Sequence, residues 1–284
     1  MKTLLLLIKE PESSHSLVKY AMLFAEDLQT NLHLMYVENP ANYSLGTPDL
    51  SGAAVAQIQH SIEAKLKAGK QELSEQVSKL KSTVSADVDV KITGASGNDN
   101  QILRERIDSG DAHMVMIEGS FRSGVLMSYD VTKELVRNLH CPVWIVPQDS
   151  EYHSFHEIIY ASDYNKEDIP TIRKLIRLTD QLAPHITALH ITDNIDFEQK
   201  IKTAGFQEMV EEKTEYNNID VEVLAENGGE EMSERLNRYA VHNNTDLMVV
   251  LKENRRFLER IFKPSSTEKI IKETKLPVLV FHAN

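Results

Sequence analysis

The stretch TKELV at Thr132–Val136, followed after five residues by PVWIV at Pro142–Val146, is repeated near the end of the chain. The repeat has TEKII at Thr267–Ile271 and, after five residues, PVLVF at Pro277–Phe281. The offset between the two copies is 135 residues throughout. Self-similarity at a fixed offset indicates that one structural unit occurs twice. The sequence therefore predicts a tandem duplication.

Length, charge and cysteine content restrict the class of protein. A chain of 284 residues has room for two domains, each able to bury its own core. The net charge of -12 opposes approach to nucleic acid or to an anionic membrane, so we expect neither as a partner. The apolar start, Met1–Ile8, is far shorter than the roughly 20 residues that cross a bilayer. The single cysteine, Cys141, is typical of a reducing compartment, and we expect a cytoplasmic protein.

Short apolar runs alternate with amphipathic segments along the first half. Thr3–Ile8 is an unbroken apolar run, typical of a strand buried on both faces of a parallel sheet. A longer stripe from Val55 to Leu80 predicts a helix of up to about thirty residues whose apolar face is used in packing. Strands are predicted at Thr3–Ile8, Asn31–Val37, Val88–Thr93, His113–Ile117 and Pro142–Val146. Their alternation with helices predicts a parallel sheet with helices on both faces.

The second half repeats this order of strands and helices. Its strands are predicted at Ile158–Ala161, Ile186–Ile191, Val221–Ala225, Leu247–Leu251 and Pro277–Phe281, and its last helix at Ser266–Thr274. The offset between the halves is 154 for strands one and two, 133 for strands three and four, and 135 for strand five. We therefore predict two domains, residues 1–150 and 151–284.

A five-stranded α/β half that ends in a helix and a Pro-Val strand, duplicated in one chain, resembles the tandem universal stress proteins. The resemblance is carried by Ala21–Val37, by Thr245–Val250 as the fourth strand, and by Ser266–Phe281. It implies an α/β fold of two tandem doubly wound parallel sheets, each with five strands in the order 3-2-1-4-5. It also implies antiparallel pairing of Pro142–Val146 with Pro277–Phe281, which makes the chain an intramolecular pseudo-dimer.

The resemblance also implies where a nucleotide would bind. Nucleotide-binding members of the family place an Asp after strand one and a loop of the form G-x2-G-x9-G, followed by Ser or Thr, after strand four. Such glycines let backbone N–H groups approach phosphate at a helix N-terminus. In the first half the Asp position is Lys9, the first two glycine positions are Glu118 and Phe121, and the third region is Tyr129-Asp130. We expect no ATP in this half.

The second half keeps the Asp, as Asp163, but its three glycine positions are Leu251, Asn254 and Pro264. Proline has no N–H to offer to a phosphate. What remains is a candidate anion site at the start of the last predicted helix. Its residues are Asp163, Asn254, Arg255, Ser265, Ser266 and Thr267, with Lys252, Arg256 and Lys263 nearby. Ser265 and Glu268 also have the spacing of a capping box, which satisfies a helix end without any ligand.

Other reactive side chains show no functional pattern. The eleven histidines lack the spacing of metal ligands, and His185 and His190 lie five apart on one strand, on opposite faces. Cys141 is interpreted as a packed thiol, and Trp144 either as a core residue or as a contact between the halves. No catalytic triad or carboxylate pair stands out. We therefore expect no metal, no catalytic residue and no enzymatic activity.

These patterns lead to a functional hypothesis and one alternative. The hypothesis is a universal stress protein that acts in the stress response through protein contacts or an unidentified ligand, without standard ATP binding. No cofactor is expected. The alternative is a nucleotide- or anion-sensing module, in which the second domain binds ATP or another anion through Asp163 and the helix start at Ser265–Thr267. An unidentified protein partner and a homo-oligomer are both compatible with either hypothesis.

Overall fold

The computed structural model places two compact units in the chain. It describes residues 2–43, 52–83, 87–119, 134–148, 150–192, 194–225, 232–253 and 276–283. The first unit comprises Met1–Glu118, Asn138–Cys141 and Asp149–Tyr152, and the second comprises Gly119–Arg137, Pro142–Gln148 and His153–Asn284. The last strand of the first repeat is therefore assigned to the second unit. The domain boundary near residue 150 stays a prediction from the sequence.

The first unit alternates strands and helices. Its elements are β1 (Thr3–Ile8), α1 (His15–Asp27), β2 (Asn31–Glu38), α2 (Gly52–Thr83), β3 (Val90–Ser96), α3 (Asp99–Asp108) and β4 (Met114–Gly119). The strands are parallel and lie in the order β3-β2-β1-β4. All of β1 from Leu4 to Ile8 is buried, as its continuous apolar run predicts for a strand covered on both faces.

The long helix α2 packs along the first unit, as the apolar stripe predicts. Ile62, Leu73, Val77 and Leu80 on this stripe are buried, whereas Val55 near the start of the helix is exposed. The helix passes close to the ring of Tyr36 in β2, where a Cβ on Gly69 would collide with the ring. Glycine is therefore required at this position for the close approach of helix and strand.

The second unit also alternates strands and helices. They are β5 (Val143–Pro147), β6 (Glu157–Ala161), α4 (Asp168–Leu178), β7 (His185–Thr192), α5 (Phe197–Thr214), β8 (Ile219–Ala225), α6 (Met232–His242), β9 (Leu247–Leu251) and β10 (Val278–Phe281). Five parallel strands lie in the order β8-β7-β6-β9-β10, which is the predicted order 3-2-1-4-5. Residues 134–138, before β5, are helical. The predicted helix Ser266–Thr274 lies outside the described residues.

The fifth strands of the two repeats pair with each other inside the second unit. β5 and β10 are antiparallel, as the resemblance implies, and Trp144 lies directly opposite Leu279. These two residues are equivalent positions of the repeat, so the local twofold axis passes through this pair. Trp144 is fully buried and its ring stacks on Phe155 with centroids 5.8 Å apart. Trp144 therefore fills the core at the contact between the two repeats.

The strand registers test the offsets derived from the sequence. Leu6 of β1 lies opposite Leu34 of β2, and Tyr160 of β6 lies opposite Ala188 of β7, so the offset of 154 is confirmed. The offset of 133 is confirmed for strand four.

The predicted offset of 133 is wrong for strand three. Leu34 lies opposite Ile92, whereas its counterpart Ala188 lies opposite Val221, which corresponds to an offset of 129. The error is four residues. Because side chains alternate with a period of two, a shift of four keeps every side chain on the same face of the sheet. The apolar pattern alone therefore cannot distinguish the two registers.

Candidate functional site

The candidate site is located by the topology of the sheet. In a doubly wound sheet, ligands bind beyond the carboxyl ends of the strands at the point where strand order reverses. In the first unit this point lies at the ends of β1 and β4, and in the second unit at the ends of β6 and β9. The residues that follow these strands therefore form the candidate site of each unit.

In the first unit, this position is occupied by an internal ion pair. Lys9 follows β1, and its Nζ lies 2.7 Å from Oδ1 and 2.9 Å from Oδ2 of Asp99. Asp99 is the first residue of α3, where the positive end of the helix also favours a carboxylate. Its side chain is only 9% exposed. The position at which the resemblance implies an adenine-binding Asp thus holds a cation that already has an anionic partner.

A second cluster of polar groups lies at the end of β2 in the same unit. The Oε1 atom of Glu38 accepts a hydrogen bond from the Tyr36 hydroxyl, and Oε2 accepts one of 3.2 Å from Tyr43. Lys65 Nζ lies 3.9 Å from Oε1. Burial, followed by the hydrogen bond to Glu38, raises the pKa of Tyr36, so its hydroxyl stays protonated at neutral pH. The charged and hydroxyl groups of this cluster therefore satisfy one another.

The second unit keeps an accessible carboxylate at the corresponding place. Asp163 follows β6, and its side chain is 30% exposed. Its Oδ1 lies 3.9 Å from Nδ1 of His190, near the end of β7. The same Nδ1 lies 2.8 Å from the carbonyl oxygen of Ser162, so it carries the proton and donates to that oxygen. An acidic group and an imidazole thus lie together at the switch point.

Tyr164 adds an aromatic wall beside this pair. Its backbone is left-handed, with φ of 55°, and its N–H donates to Ser162 Oγ over 3.0 Å. The ring stacks on His190 with centroids 4.4 Å apart and lies tilted against Phe206 at 4.8 Å. The hydroxyl is 3.0 Å from Thr203 Oγ1, and burial raises the pKa of Tyr164. A non-glycine residue in this conformation needs such support from its surroundings.

Beneath the loop that carries Asp163, a buried carboxylate holds the backbone in place. Asp168, at the start of α4, is fully buried. It accepts hydrogen bonds from Tyr160 Oη at 2.9 Å, Ser162 Oγ at 2.8 Å and the backbone N–H of Asn165 at 3.0 Å. Burial raises the pKa of Asp168, and the three hydrogen bonds partly offset that effect. Asp168 is therefore a positioning residue for the loop after β6.

Most of the predicted anion site lies outside the described residues: Asn254, Arg255, Ser265, Ser266 and Thr267. Of the predicted group, the structure describes Asp163 and the neighbouring Lys252. Lys252 Nζ donates to the carbonyl oxygen of Arg137 over 2.7 Å. His282 Nε2 donates to the carbonyl oxygen of Val136 over a similar distance, 2.7 Å. Both side chains donate to carbonyl groups in or beside the last turn of the helix at residues 134–138, where carbonyl oxygens lack partners within the helix.

The histidines and Cys141 were the other reactive side chains considered from the sequence. Among the described residues, no group of three or more His, Cys, Asp or Glu side chains is arranged to hold a metal ion. Cys141 is buried, and burial raises its pKa to about 12, so it remains a thiol at neutral pH. The interpretation of Cys141 as a packed thiol agrees with this environment.

Three residues of the second-unit site were not predicted from the sequence: His190, Tyr164 and Asp168. The pairing of β6 with β7 places Leu189 opposite Ala161, which brings His190 beside the residue after β6. β1 and β2 pair in the equivalent register in the first unit. The offset of 154, which relates both strands to their counterparts, was therefore the sequence signal for the position of His190. For Asp168, the signal was an acidic residue in the first turn of the helix, where the positive helix end favours a carboxylate.

Comparison with known proteins identifies the family. Residues 1–147 and 154–282 each match the model of the universal stress protein family. The chain belongs to the universal stress protein family. Both halves of this universal stress protein are covered, which confirms the tandem duplication. A search of curated protein sequences finds no significant match.

Solved structures share the fold over the full chain. A universal stress protein from Archaeoglobus fulgidus aligns with a TM-score of 0.64 and 14% identity, covering 99% of this chain and 96% of that one. A putative universal stress protein from Pseudomonas aeruginosa aligns with a TM-score of 0.57 and 17% identity, covering 99% of this chain and 93% of that one. The cytoplasmic domain of a prokaryotic cation chloride cotransporter aligns with a TM-score of 0.54 and 10% identity, covering 98% of this chain and 94% of that one. At these identities the likeness concerns the fold alone.

Over the stretches of chain that the structure describes, no helix is both long and apolar enough to span a membrane.

Proposed function

We propose that this universal stress protein acts in the cytoplasm, in the stress response, through protein contacts or a ligand other than ATP. The proposal assigns it no catalytic reaction and no resident cofactor. Its main support is the Lys9–Asp99 ion pair, which fills the first unit's adenine position with two oppositely charged groups. A nucleotide would have to break this pair and leave Asp99, which is nearly buried, without its cation.

The second unit supports the same proposal in a different way. Its three glycine positions are Leu251, Asn254 and Pro264, and Leu251 is fully buried at the end of β9. Lys252, the first basic residue of the predicted anion site, already binds the Arg137 carbonyl. A side chain at the first position and a missing N–H at the third are both unfavourable for a backbone phosphate cradle.

Calorimetric titration of the full chain with ATP and Mg²⁺ tests this proposal. We expect no saturable heat up to millimolar nucleotide, because neither unit offers both an adenine-binding carboxylate and a glycine loop. A Lys9→Asp variant is the informative comparison for the first unit, since it restores the family residue there. Saturable binding of ATP by the unaltered chain at micromolar concentration would refute the proposal.

One observation favours the alternative of a nucleotide or anion sensor in the second unit. Asp163 is accessible and lies beside the stacked rings of Tyr164 and His190. A carboxylate can accept a hydrogen bond from the amino group of a nucleotide base, and an aromatic ring can stack on the face of that base. The predicted helix start at Ser265–Thr267 would then receive the phosphates.

This alternative predicts a specific pattern of loss. Asp163→Ala should weaken the binding of ATP at least about tenfold. Ser265→Ala/Ser266→Ala should weaken the binding of both ATP and inorganic phosphate by at least the same factor. Asp180→Ala is the matched control, because Asp180 is an exposed acidic residue of the same unit outside the site. Binding that is equally strong in all three variants would exclude this site. Binding of phosphate alone would support an anion sensor rather than a nucleotide sensor.

A further inference from the structure

Helix α5 carries an exposed apolar ridge that has no role in the described fold. Phe197, Ile201 and Met209 are 79%, 56% and 48% exposed, and they make up three of the five large apolar side chains exposed in the described residues. Together with Gly205 they are spaced by four residues, which places them along one side of the helix. We call these four residues the α5 ridge. The opposite face of α5 packs against β8 and α4.

Gly205 in the middle of the α5 ridge has no packing reason within the described chain. A Cβ built on Gly205 would have no atom within 4 Å. Glycine inside a helix costs about 1 kcal/mol relative to alanine. The neighbouring residue, Ala204, is also small and exposed. A small centre between large apolar ends is suited to the close approach of another helix.

The charges of α5 that are not in ion pairs within the helix have opposite signs in its two halves. Lys200 lies in the first half of the helix, and Glu208 and Glu211 lie in the second half, all exposed. Glu212, also in the second half, is paired with Lys213 at 2.7 Å. Glu198, also in the first half, is paired with Lys202 at 2.6 Å. Neither Lys200 nor Glu208 takes part in an ion pair among the described residues. An antiparallel copy of the same helix would bring each of them close to its opposite charge.

We propose that the α5 ridge binds α5 of a second copy of this chain in antiparallel orientation. With the twofold axis near residues 203–204, Phe197 faces Met209 of the other copy and Ile201 faces Gly205. In this register Lys200 and Glu208 lie within about 3 Å of the same level along the helix axis, at both ends of the contact. A partner helix of uniform charge would match only one half of α5, whereas a second copy matches both halves.

The size of the α5 ridge indicates how strong this dimer is. A helix of 18 residues is about 27 Å long, so two such helices form an interface at the small end of the range for specific complexes. We therefore expect weak, reversible association. This inference goes beyond the proposed function, because it does not depend on whether the second unit binds a nucleotide.

Sedimentation velocity of the full chain over a concentration series tests the interface. We expect a concentration-dependent monomer–dimer equilibrium that Ile201→Asp abolishes. Val241→Asp is the matched control: Val241 is 63% exposed on α6, away from the ridge, and the variant should dimerise as the unaltered chain does. A chain that stays monomeric, a dimer that survives Ile201→Asp, or one that Val241→Asp also dissociates would overturn the proposal.

Gly205→Gln separates the interface from the stability of the helix. Glutamine is a better helix former than glycine, so the thermal midpoint of the monomer should not fall. The added side chain blocks the close approach, and the dimer dissociation constant should rise at least about tenfold. Unchanged dimerisation in Gly205→Gln would contradict the assigned crossing point.

A charge exchange tests the antiparallel orientation. Lys200→Glu should weaken the dimer at least about threefold, and Lys200→Glu/Glu208→Lys should restore it. The two residues are eight positions apart, about 12 Å along one helix, so a direct pair within one helix does not explain the rescue. Failure of the double variant to restore dimerisation would rule out this orientation.

Discussion

Lys9 Nζ contacts both carboxylate oxygens of Asp99, at 2.7 and 2.9 Å, and so joins the end of β1 to the first turn of α3. Because the Asp99 side chain is nearly buried, its carboxylate depends on this cation for compensation. We predict that Lys9→Met lowers the free energy of unfolding by about 1–3 kcal/mol. Urea denaturation followed by circular dichroism measures the change.

The control for this prediction is Lys166→Met. Lys166 lies in a loop with its side chain almost fully exposed, and its contact with Glu167 is a long surface pair, so little change is expected. Equal destabilisation by the two substitutions would show that Lys9 and Asp99 contribute no more than a surface pair.

His33 should make the protein less stable in acid. It is buried in β2, with Nε2 2.7 Å from Thr93 Oγ1. Burial, and then the charges of Lys91 and Arg106, lower the pKa of His33 to about 4. The unfolded state, with a pKa of about 6.5, takes up the proton first as pH falls. The folded state therefore loses up to about 3 kcal/mol of stability between about pH 6.5 and pH 4.

Urea titrations of the unaltered chain and of His33→Gln at a series of pH values test this expectation. The difference in unfolding free energy between the two proteins should shrink as the pH falls through this window. A difference that is constant across the window would contradict a lowered pKa for His33.

His185 should show the opposite pH dependence. Its Nδ1 lies 2.8 Å from Glu157 Oε2, and its Nε2 lies 3.0 Å from Asp220 Oδ2. Burial lowers the pKa of His185, but the hydrogen bonds and charges of Asp220 and Glu157 outweigh it and raise the pKa overall. Its contribution to stability is therefore complete below the ordinary pKa of about 6.5 and is lost as pH rises through the raised value.

The corresponding measurement compares the unaltered chain with His185→Gln. The substitution should be more destabilising at about pH 5.5 than at about pH 8.5. His33→Gln provides the internal control, since its effect changes with pH in the opposite direction. A His185→Gln effect that grows with rising pH would exclude the two-carboxylate bridge.

Trp144 should report the integrity of the second unit. It is the single tryptophan of the chain, fully buried and stacked on Phe155. Trp144→Ala should lower the free energy of unfolding by about 3–5 kcal/mol, and Trp144→Phe by less, because less volume is removed. Native fluorescence of the unaltered chain should be blue-shifted and move to the red on unfolding. Native emission typical of a solvated indole would contradict this burial.

The fold was largely predictable because the strongest signals are local. β1 was predicted at its observed bounds, since an apolar run from Thr3 to Ile8 ends at a charged residue. The pairing of β5 with β10 was implied by the family resemblance. That resemblance was recognised because the sequence repeat shows two copies of the same α/β unit. The register of strand three was not predictable, because a shift of four residues leaves the apolar pattern of Val90–Ser96 on the same face.

The site was predictable only in part. Asp163 was found because the repeat places it where Lys9 lies in the first half. The internal pairing of Lys9 with Asp99 depends on a contact across ninety residues, which no local pattern encodes. The stacking of Tyr164 on His190 requires a left-handed backbone at a residue other than glycine, and such a conformation follows from its surroundings rather than from propensity.

The facing of Trp144 and Leu279 has a consequence for how the two repeats recognise each other. In a dimer of identical chains, the residue on the twofold axis meets its own copy, so two tryptophans would crowd the axis and two leucines would leave a void. In a fused chain the two residues on the axis can differ. One repeat provides the large Trp144 side chain, and the other provides the smaller Leu279 opposite it. Each fifth strand is thereby fitted to its sister repeat, and exchange with the same strand of another molecule is disfavoured.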